Sequence, residues 1–223
     1  MPLSWHKSSP SYAVAMAMRH EKAAEILAQR DEVMAALVER HGPMRIGAAP
    51  PVQKRFETLA NAIASQQLNG RAAQTIWGRV RGKVEGPFTA DAVLAVDESS
   101  WREAGLSGAK ASSMIDLAEH VADGRVQLGR LGRMPDDEVL AHLTAVRGIG
   151  PWTAQMFLMF SLSRLDVWPT GDYGVRNGYG RAFHRGIAPT AKELEPLGDR
   201  FRPYRSVVAW YCWAAADDPE FSS

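Results

Sequence analysis

Hydrophobic residues recur along this chain with the spacing of amphipathic helices. In one stretch the apolar positions follow the i, i+3, i+4, i+7 pattern that places them on one helix face: Phe56, Leu59, Ala60 and Ile63. The same period and the Gly or Pro breaks between segments predict longer helices over residues 11–29, 31–40, 52–63, 71–81, 111–123, 135–146, 173–183 and 203–216, and a further one that starts at Pro151 or Trp152. Alternation typical of strands never extends beyond about five residues. The pattern therefore predicts an all-α chain with short turns.

Residues that favour helix starts add three short helices. Thr89 precedes an apolar pair and is a good N-cap residue. Thr190 and Glu193 have the spacing of a capping box, and so do Ser100 and Glu103. We therefore expect a short helix to begin at each of these three positions.

One stretch, residues 143–173, combines features that point to chemistry. Gly148 and Gly150 flank a turn, and Pro151 suits the first position of the helix that follows. Free backbone amides at a helix start, together with the positive end of its dipole, favour an anion. Asp172 follows about one helix length later, so the order suggests a reaction on a molecule that carries phosphates.

Composition narrows the class of protein. The 223 residues are 46% hydrophobic and 23% charged, which is typical of a folded chain. A net charge of +1 does not by itself indicate a nucleic-acid partner. The single cysteine, Cys212, excludes an intrachain disulfide and a four-cysteine iron–sulfur cluster, and fits a reducing cytoplasm. The sequence shows no signal peptide and no stretch apolar enough to span a membrane, so we expect no membrane partner.

Four segments together resemble the helix-hairpin-helix and Gly/Pro/Asp-loop (HhH-GPD) superfamily of DNA glycosylases. The hairpin of residues 146–154, Val-Arg-Gly-Ile-Gly-Pro-Trp-Thr-Ala, is the most recognisable. Residues 64–80, residues 106–118 and residues 201–213 are similar to three further motifs, in the same order. Within the superfamily the chain resembles the alkylated-base branch, DNA-3-methyladenine glycosylase II, over about residues 50–215.

The resemblance implies an architecture and a way of holding DNA. It implies a single glycosylase unit over residues 1–223, made of two interleaved helical lobes with the site in the groove between them, and a helix-hairpin-helix at residues 136–163. Gly148, Gly150 and the Thr153 hydroxyl match positions that hold a DNA phosphate. The resemblance also implies an alkali cation, Na⁺ or K⁺, on hairpin carbonyls that match Thr144, Val146 and Ile149.

Asp172 matches the catalytic aspartate of the family. Cleavage of an N-glycosidic bond builds positive charge on the sugar, which a fixed carboxylate stabilises. The same carboxylate can orient or deprotonate the attacking water. Aspartate is also a common helix N-cap, and Asp172 directly precedes a predicted helix. The two roles are compatible, because a cap also fixes the carboxylate.

Trp152 occupies the position where bifunctional superfamily members carry a lysine, so the resemblance implies a monofunctional glycosylase. Trp152, Tyr173 and Trp213 match aromatic residues that line the pocket of the alkylated-base branch. Purines alkylated at N3 or N7 are cationic, and aromatic faces attract cations. The alternative is that these rings are core residues, as we expect for Trp168 and Trp210.

A base inside the duplex must be flipped out before it can react. Gln66 and Gln67 match the loop that fills the gap, and we assign Gln66 to the substrate and Gln67 to the DNA. Some relatives use an apolar wedge, so the wedge residue stays open, and a plain polar loop is the alternative. Candidates for phosphate contacts, with surface ion pairs as an equal alternative, are Arg176, Arg181 and Arg205.

The sequence therefore predicts a cytoplasmic, nucleoid-associated DNA repair enzyme. It would hydrolyse the glycosidic bond of alkylated purines such as 3-methyladenine in double-stranded DNA, leaving an abasic site without a redox or organic cofactor. The alternatives are a glycosylase for a neutral deaminated or mismatched base, a non-catalytic hairpin DNA-binding protein, and a helical protein with no role on DNA. Asp172 separates catalysis from binding, because binding alone does not require it.

Overall fold

A computed structural model describes residues 10–44, 49–184 and 186–219 of the chain. These residues form helices and contain no strand, which confirms the all-α prediction. The helices are α1 (Pro10–Arg30), α2 (Glu32–His41), α3 (Arg55–Ser65), α4 (Gly70–Gly82), α5 (Ala90–Leu94), α6 (Glu98–Glu103), α7 (Gly108–Ala122), α8 (Asp136–Thr144), α9 (Pro151–Met156), α10 (Tyr173–Phe183), α11 (Ala191–Leu197) and α12 (Arg205–Asp217). Shorter turns of 3₁₀-helix cover Val52–Lys54, Leu131–Arg133 and Asp199–Phe201, and Phe157–Ser161 forms a π-helix.

The chain divides into two compact units. The split unit combines Met1–Ala49 with Leu158–Ser223, and the inserted unit is the continuous stretch Pro50–Phe157. One boundary between them therefore lies inside the π-helix that follows α9. The arrangement of two interleaved lobes stays a prediction.

The split unit depends on a close approach of α10 to α12. A Cβ atom at Gly178 of α10 would lie 1.7 Å from the carbonyl oxygen of Cys212, so a larger residue cannot occupy this position. Tyr211 is fully buried on α12 and donates its hydroxyl hydrogen to the Gly42 carbonyl, 2.9 Å away, just after α2. Trp168 is buried, and its indole N–H donates a hydrogen bond to the Leu194 carbonyl, which confirms its core role. Trp210 is only half-buried, with its ring edge-on to that of Tyr211 at a centroid distance of 5.0 Å, so the core role expected for it is met only in part.

The core of the inserted unit follows the predicted helical period. The four residues of the α3 pattern are each at most 4% exposed, and they pack in a unit whose buried residues include Met114, Leu117, Val139 and Leu143. Arg55 is also buried, and its guanidinium donates to the Leu128 carbonyl at 2.5 Å. The periodicity therefore identified the buried face of α3 correctly.

Two of the three predicted caps are confirmed. Thr89 accepts the Ala92 amide, and Thr190 and Glu193 form a reciprocal capping box. The box expected at Ser100 and Glu103 is wrong, since α6 begins after Asp97 and Glu103 is its last residue. The earlier start places Trp101 inside the helix, where it is fully buried.

Two of the three arginines considered for phosphate contacts are used inside the split unit. Arg205 is 8% exposed, and its guanidinium bonds both carboxylate oxygens of Asp166 at 2.8 and 3.0 Å and its carbonyl at 2.9 Å. Arg181 donates to the carbonyls of Ala216 and Asp218 at the end of α12. These guanidinium groups stabilise the C-terminal helix rather than present charge to a ligand.

Replacing Arg205 with Met should therefore lower the free energy of unfolding by about 3 kcal/mol, because the Asp166 carboxylate would lose its buried guanidinium partner. Arg202 also contacts Asp166, at 2.8 Å, but its side chain is 52% exposed. Arg202→Met should cost less than about 1 kcal/mol, as exposed ion pairs do. Urea unfolding followed by circular dichroism compares the two variants, and equal losses would contradict the assignment of Arg205 to the interior.

Candidate active site

Asp172 is the N-cap of α10 and belongs to the split unit. Its Oδ1 atom accepts the Val175 amide at 2.8 Å and the indole Nε1–H of Trp213 at 2.8 Å. The residue is half-buried. The expected capping role is confirmed, and the second donor fixes the carboxylate against a side chain 41 residues further along the chain.

Trp213 lies in an aromatic stack. Its ring is roughly parallel to that of Phe160, with centroids 6.0 Å apart and an interplanar angle of 25°. Phe160 is 37% exposed and lies in the π-helix Phe157–Ser161. Phe160 is not predicted from the sequence, because a π-helix departs from the 3.6-residue period of an α-helix. Such π-bulges often occur at functional sites.

Gly174 is a second residue of this site that is not among the residues predicted from the sequence. A Cβ atom there would lie 2.8 Å from Cδ1 of Trp213, and 3.2 Å from both the Trp213 Nε1 and the Asp172 Oδ1. Any side chain would therefore push the indole away from the carboxylate. The signal was present as two glycines four residues apart, Gly174 and Gly178, which lie on the same face of α10.

Tyr173 is at the same helix end and is 68% exposed. The guanidinium of Arg176 lies 5.6 Å from the centre of its ring, a cation–π contact. Arg176 also donates to the Pro189 carbonyl at 3.4 Å. The structure thus brings Asp172, Tyr173 and Trp213 together, and adds a positive charge beside them.

The predicted hairpin is present in the inserted unit between α8 and α9. Gly148 has a positive φ of 77°, and a Cβ atom there would lie 2.4 Å from the Ser113 hydroxyl. The Ile149 amide donates to the Val146 carbonyl at 3.1 Å, and Ile149 is 3% exposed. Pro151 is the first residue of α9, as its chemistry predicted.

The hairpin residues assigned to a ligand differ in exposure. Trp152 is 48% exposed, and Gly150 is exposed as the N-cap of α9. Thr153 is only 7% exposed, so little of its side chain is available to a phosphate. Backbone amides at the turn are therefore better placed than the Thr153 hydroxyl for the predicted phosphate contact, which stays a prediction.

The loop between α3 and α4 lies against this hairpin. Gln66 is half-buried, and its side-chain amide donates to the Gly148 carbonyl at 2.8 Å. Gln67 is exposed and has a positive φ of 58°, an unfavourable conformation for a residue with a side chain. The two glutamines thus differ: Gln66 contacts the hairpin, and Gln67 is the exposed one.

The carbonyls matched to an alkali cation lie where a helix ends. Because α8 ends at Thr144, its last carbonyls lack intrahelical amides and carry the negative end of the helix dipole. The Val146 carbonyl already accepts the Ile149 amide, so only part of its capacity remains. A donor set of neutral oxygens suits Na⁺ or K⁺, and this site stays a prediction.

The described parts of the chain contain no group of three or more His, Cys, Asp or Glu side chains that could hold a metal ion. Their helices include none that is long and apolar enough to cross a membrane. Cys212 is fully buried, and burial raises the pKa of its thiol.

Comparison with known proteins identifies relatives over most of the chain. A family model described as the HhH-GPD superfamily of base excision DNA repair proteins matches residues 60–203. DNA-3-methyladenine glycosylase 1 of Schizosaccharomyces pombe is 34% identical over 187 residues, which is 82% of each chain. The solved structure of a 3-methyladenine DNA glycosylase from that yeast, in complex with abasic DNA, superposes with a TM-score of 0.80 and 31% identity, covering 91% of this chain and all (100%) of the other. A DNA-3-methyladenine glycosidase from Bacillus halodurans gives a TM-score of 0.76 at 31% identity, covering 96% and 92%.

The two glycines of the hairpin turn should respond differently to alanine. Gly148→Ala should lower the free energy of unfolding by about 2–3 kcal/mol, because a left-handed conformation and a steric overlap with Ser113 combine. Gly150 has open space around its Cβ position, so Gly150→Ala should cost less than about 1 kcal/mol. Denaturant unfolding of both variants tests this difference, and a well-tolerated Gly148→Ala would contradict the described turn.

Gly174→Ala should break the bond between the Trp213 indole and Asp172. The ring N–H should then exchange with solvent about tenfold faster or more, as expected for loss of a hydrogen bond to a charged group. Gly171→Ala is the matched control, because it also lies beside Asp172 but has open space at its Cβ position. The measurement is the indole resonance in a ¹⁵N–¹H spectrum, assigned with Trp213→Phe, and an unchanged resonance in Gly174→Ala would contradict the geometry.

Proposed function

The chain belongs to the HhH-GPD superfamily of base excision DNA repair proteins, and we propose that it hydrolyses the N-glycosidic bond of alkylated purines such as 3-methyladenine in double-stranded DNA. The products are the free base and an abasic site. The observation that carries the proposal is the Asp172 carboxylate, held at 2.8 Å by an amide and at 2.8 Å by an indole N–H beside stacked aromatic rings. The names of its relatives support the substrate class.

In this mechanism Asp172 acts by electrostatics on the sugar. As the base departs, the sugar gains oxocarbenium character, and the carboxylate stabilises the positive charge. Because two N–H donors fix Oδ1, little reorganisation is needed as the charge develops. The same group is placed to orient the water that attacks the sugar.

The aromatic rings supply selectivity for a cationic base. Phe160, which stacks on Trp213, is 37% exposed, and the exposed ring of Tyr173 accepts the guanidinium of Arg176, so one ring of this site already contacts a cation. Electron-rich faces attract a cation more strongly than a neutral base. A purine alkylated at N3 or N7 also has a weakened glycosidic bond, so a strong general acid is not required. These features favour alkylated purines over uracil or hypoxanthine.

The residues of the inserted unit suit a monofunctional enzyme that binds duplex DNA. Trp152 provides no amine where bifunctional superfamily members have lysine, so no Schiff base forms at this position. The amides around Gly148 and Gly150 would hold a phosphate, and the exposed Gln67 side chain would fill the gap that the flipped base leaves in the stack. The reaction needs no redox or organic cofactor, Na⁺ or K⁺ would serve only to support the hairpin, and we expect the enzyme to act in the cytoplasm on the nucleoid.

The decisive variant is Asp172→Asn. Asparagine caps helices as well as aspartate does, so the variant should fold, but it lacks the charge that stabilises the sugar. Single-turnover release of 3-methyladenine from methylated duplex DNA should fall by about 10²-fold or more, as for loss of other electrostatic groups in active sites. Affinity for the same duplex, measured by fluorescence anisotropy, should stay within about threefold, a change of less than 1 kcal/mol.

Asp31→Asn is the matched control, because Asp31 caps α2 of the same unit and accepts the Met34 amide at 3.0 Å. It should leave base release unchanged. Full turnover by Asp172→Asn would contradict the mechanism. Release of uracil or hypoxanthine in preference to 3-methyladenine by the unmodified protein would indicate a neutral-base glycosylase, and binding that weakens with salt but yields no base would indicate a non-catalytic protein.

A further inference from the structure

Helix α7 carries a row of polar residues that contact both loops of the inserted unit assigned to DNA. Lys110, Ser113 and Asp116 are spaced by three residues and therefore lie near one another on one side of the helix. Ser113 lies under Gly148, and Asp116 accepts the Arg147 amide at 2.7 Å. The third member, Lys110, reaches the other loop.

The ammonium group of Lys110 is committed to backbone carbonyls. It donates to the carbonyl of Ala64 at 2.9 Å and to that of Gln66 at 2.6 Å, which are 46 and 44 residues away along the chain. These carbonyls lie at the end of α3, where intrahelical amides are missing and the helix dipole is negative. Lys110 is half-buried, and its desolvation lowers the pKa of the ammonium group.

The segment held in this way directly precedes the strained residue. Gln66 is fixed twice, through its carbonyl to Lys110 and through its side-chain amide to Gly148. Gln67 follows with its φ of 58° and an exposed side chain. A left-handed conformation at a residue other than glycine persists only where the surrounding contacts enforce it.

We propose that Lys110 is a positioning residue that holds Gln67 in its left-handed conformation, so that this side chain enters the DNA stack when the damaged base leaves it. The assignment rests on the proposed function, since it concerns how the same protein handles duplex DNA. Lys110 acts through the backbone of the loop and touches neither the sugar nor the base. Two of its three N–H donors already bind carbonyls, which distinguishes it from a phosphate-binding lysine.

The test compares Lys110→Met with Lys83→Met in the full chain. Methionine has a similar reach but no charge and no donor. Lys83 belongs to the same unit, is 33% exposed and forms a surface ion pair with Glu103 at 2.9 Å, so the control removes the same charge from a site of little energetic weight. The probe is a duplex with a tetrahydrofuran abasic analogue opposite 2-aminopurine, whose fluorescence reports whether the gap in the stack is filled.

The unmodified protein and Lys83→Met should change the 2-aminopurine signal equally at saturation. Lys110→Met should bind the probe with a dissociation constant within about threefold of the unmodified value, since the hairpin is retained, yet give less than half of the fluorescence change. Its single-turnover rate of base release should fall about tenfold or more, because a charge-assisted hydrogen bond to the loop is lost. In this variant, binding of the duplex should therefore be retained while filling of the gap in the stack is lost.

Restoring an ammonium group chemically at position 110 tests whether the effect of Lys110→Met is a general loss of structure. In Lys110→Cys the new thiol can be converted by bromoethylamine to an aminoethyl cysteine, which restores an ammonium group at the same reach. The native Cys212 is fully buried and its thiol has a raised pKa, so it should not react. The treated protein should regain the fluorescence change and the rate that the untreated variant lacks.

Three results would overturn the assignment. They are a full fluorescence change in Lys110→Met, a lack of rescue by the aminoethyl group, and a fall of the thermal midpoint so large that the variant is unfolded at assay temperature. The last would make Lys110 a general stabilising residue. Failure of the unmodified protein to release any base would instead contradict the proposed function, while the fluorescence comparison would still test the role of Lys110.

Discussion

The close approach of α10 to α12 is the constraint on which the candidate active site depends. Gly178 allows the backbones to meet, and Gly174, one turn earlier, leaves room for the Trp213 indole. Asp172 begins the same helix, so the packing of two helices places its carboxylate against that indole. The position of the Asp172 carboxylate therefore depends on the absence of side chains at two glycines as much as on Asp172 itself.

In the inserted unit, contacts with α7 fix the conformation of two surface segments. Its hairpin and its α3–α4 loop each contain a residue with a positive φ, Gly148 and Gln67, and this conformation is ordinary for glycine but costs free energy at Gln67. Both segments are tied to α7, the hairpin by the Arg147 amide on Asp116 and by the close approach of Gly148 to Ser113, and the loop by Lys110. One rigid helix thus fixes two surface segments relative to each other, which is what recognition of a stiff duplex requires.

Much of this organisation could be predicted from local sequence patterns, and the remainder could not. Helical periods, the Gly148 turn and the capping role of Asp172 are encoded within a few residues, and the structure confirms them. The role of Lys110 could not be predicted, because its partners lie 44 and 46 residues away along the chain. The position of Phe160 could not be predicted either, because a π-helix changes which residues share a helix face. The charge of Arg205 makes it a candidate for a phosphate contact. In the structure it is buried and paired with Asp166, which a count of basic residues cannot reveal.

The position of Asp172 at a helix start explains how one residue can serve both stability and chemistry. A capping oxygen must point at the first amides of its helix, so its direction is set by the backbone rather than by a flexible side chain. The indole N–H then adds a second fixed donor on the same atom. A carboxylate held in this way cannot turn to follow a mobile charge, so the charge must develop where the carboxylate already is. That condition suits the proposed reaction, in which positive charge appears at one sugar, and it is less suited to binding alone.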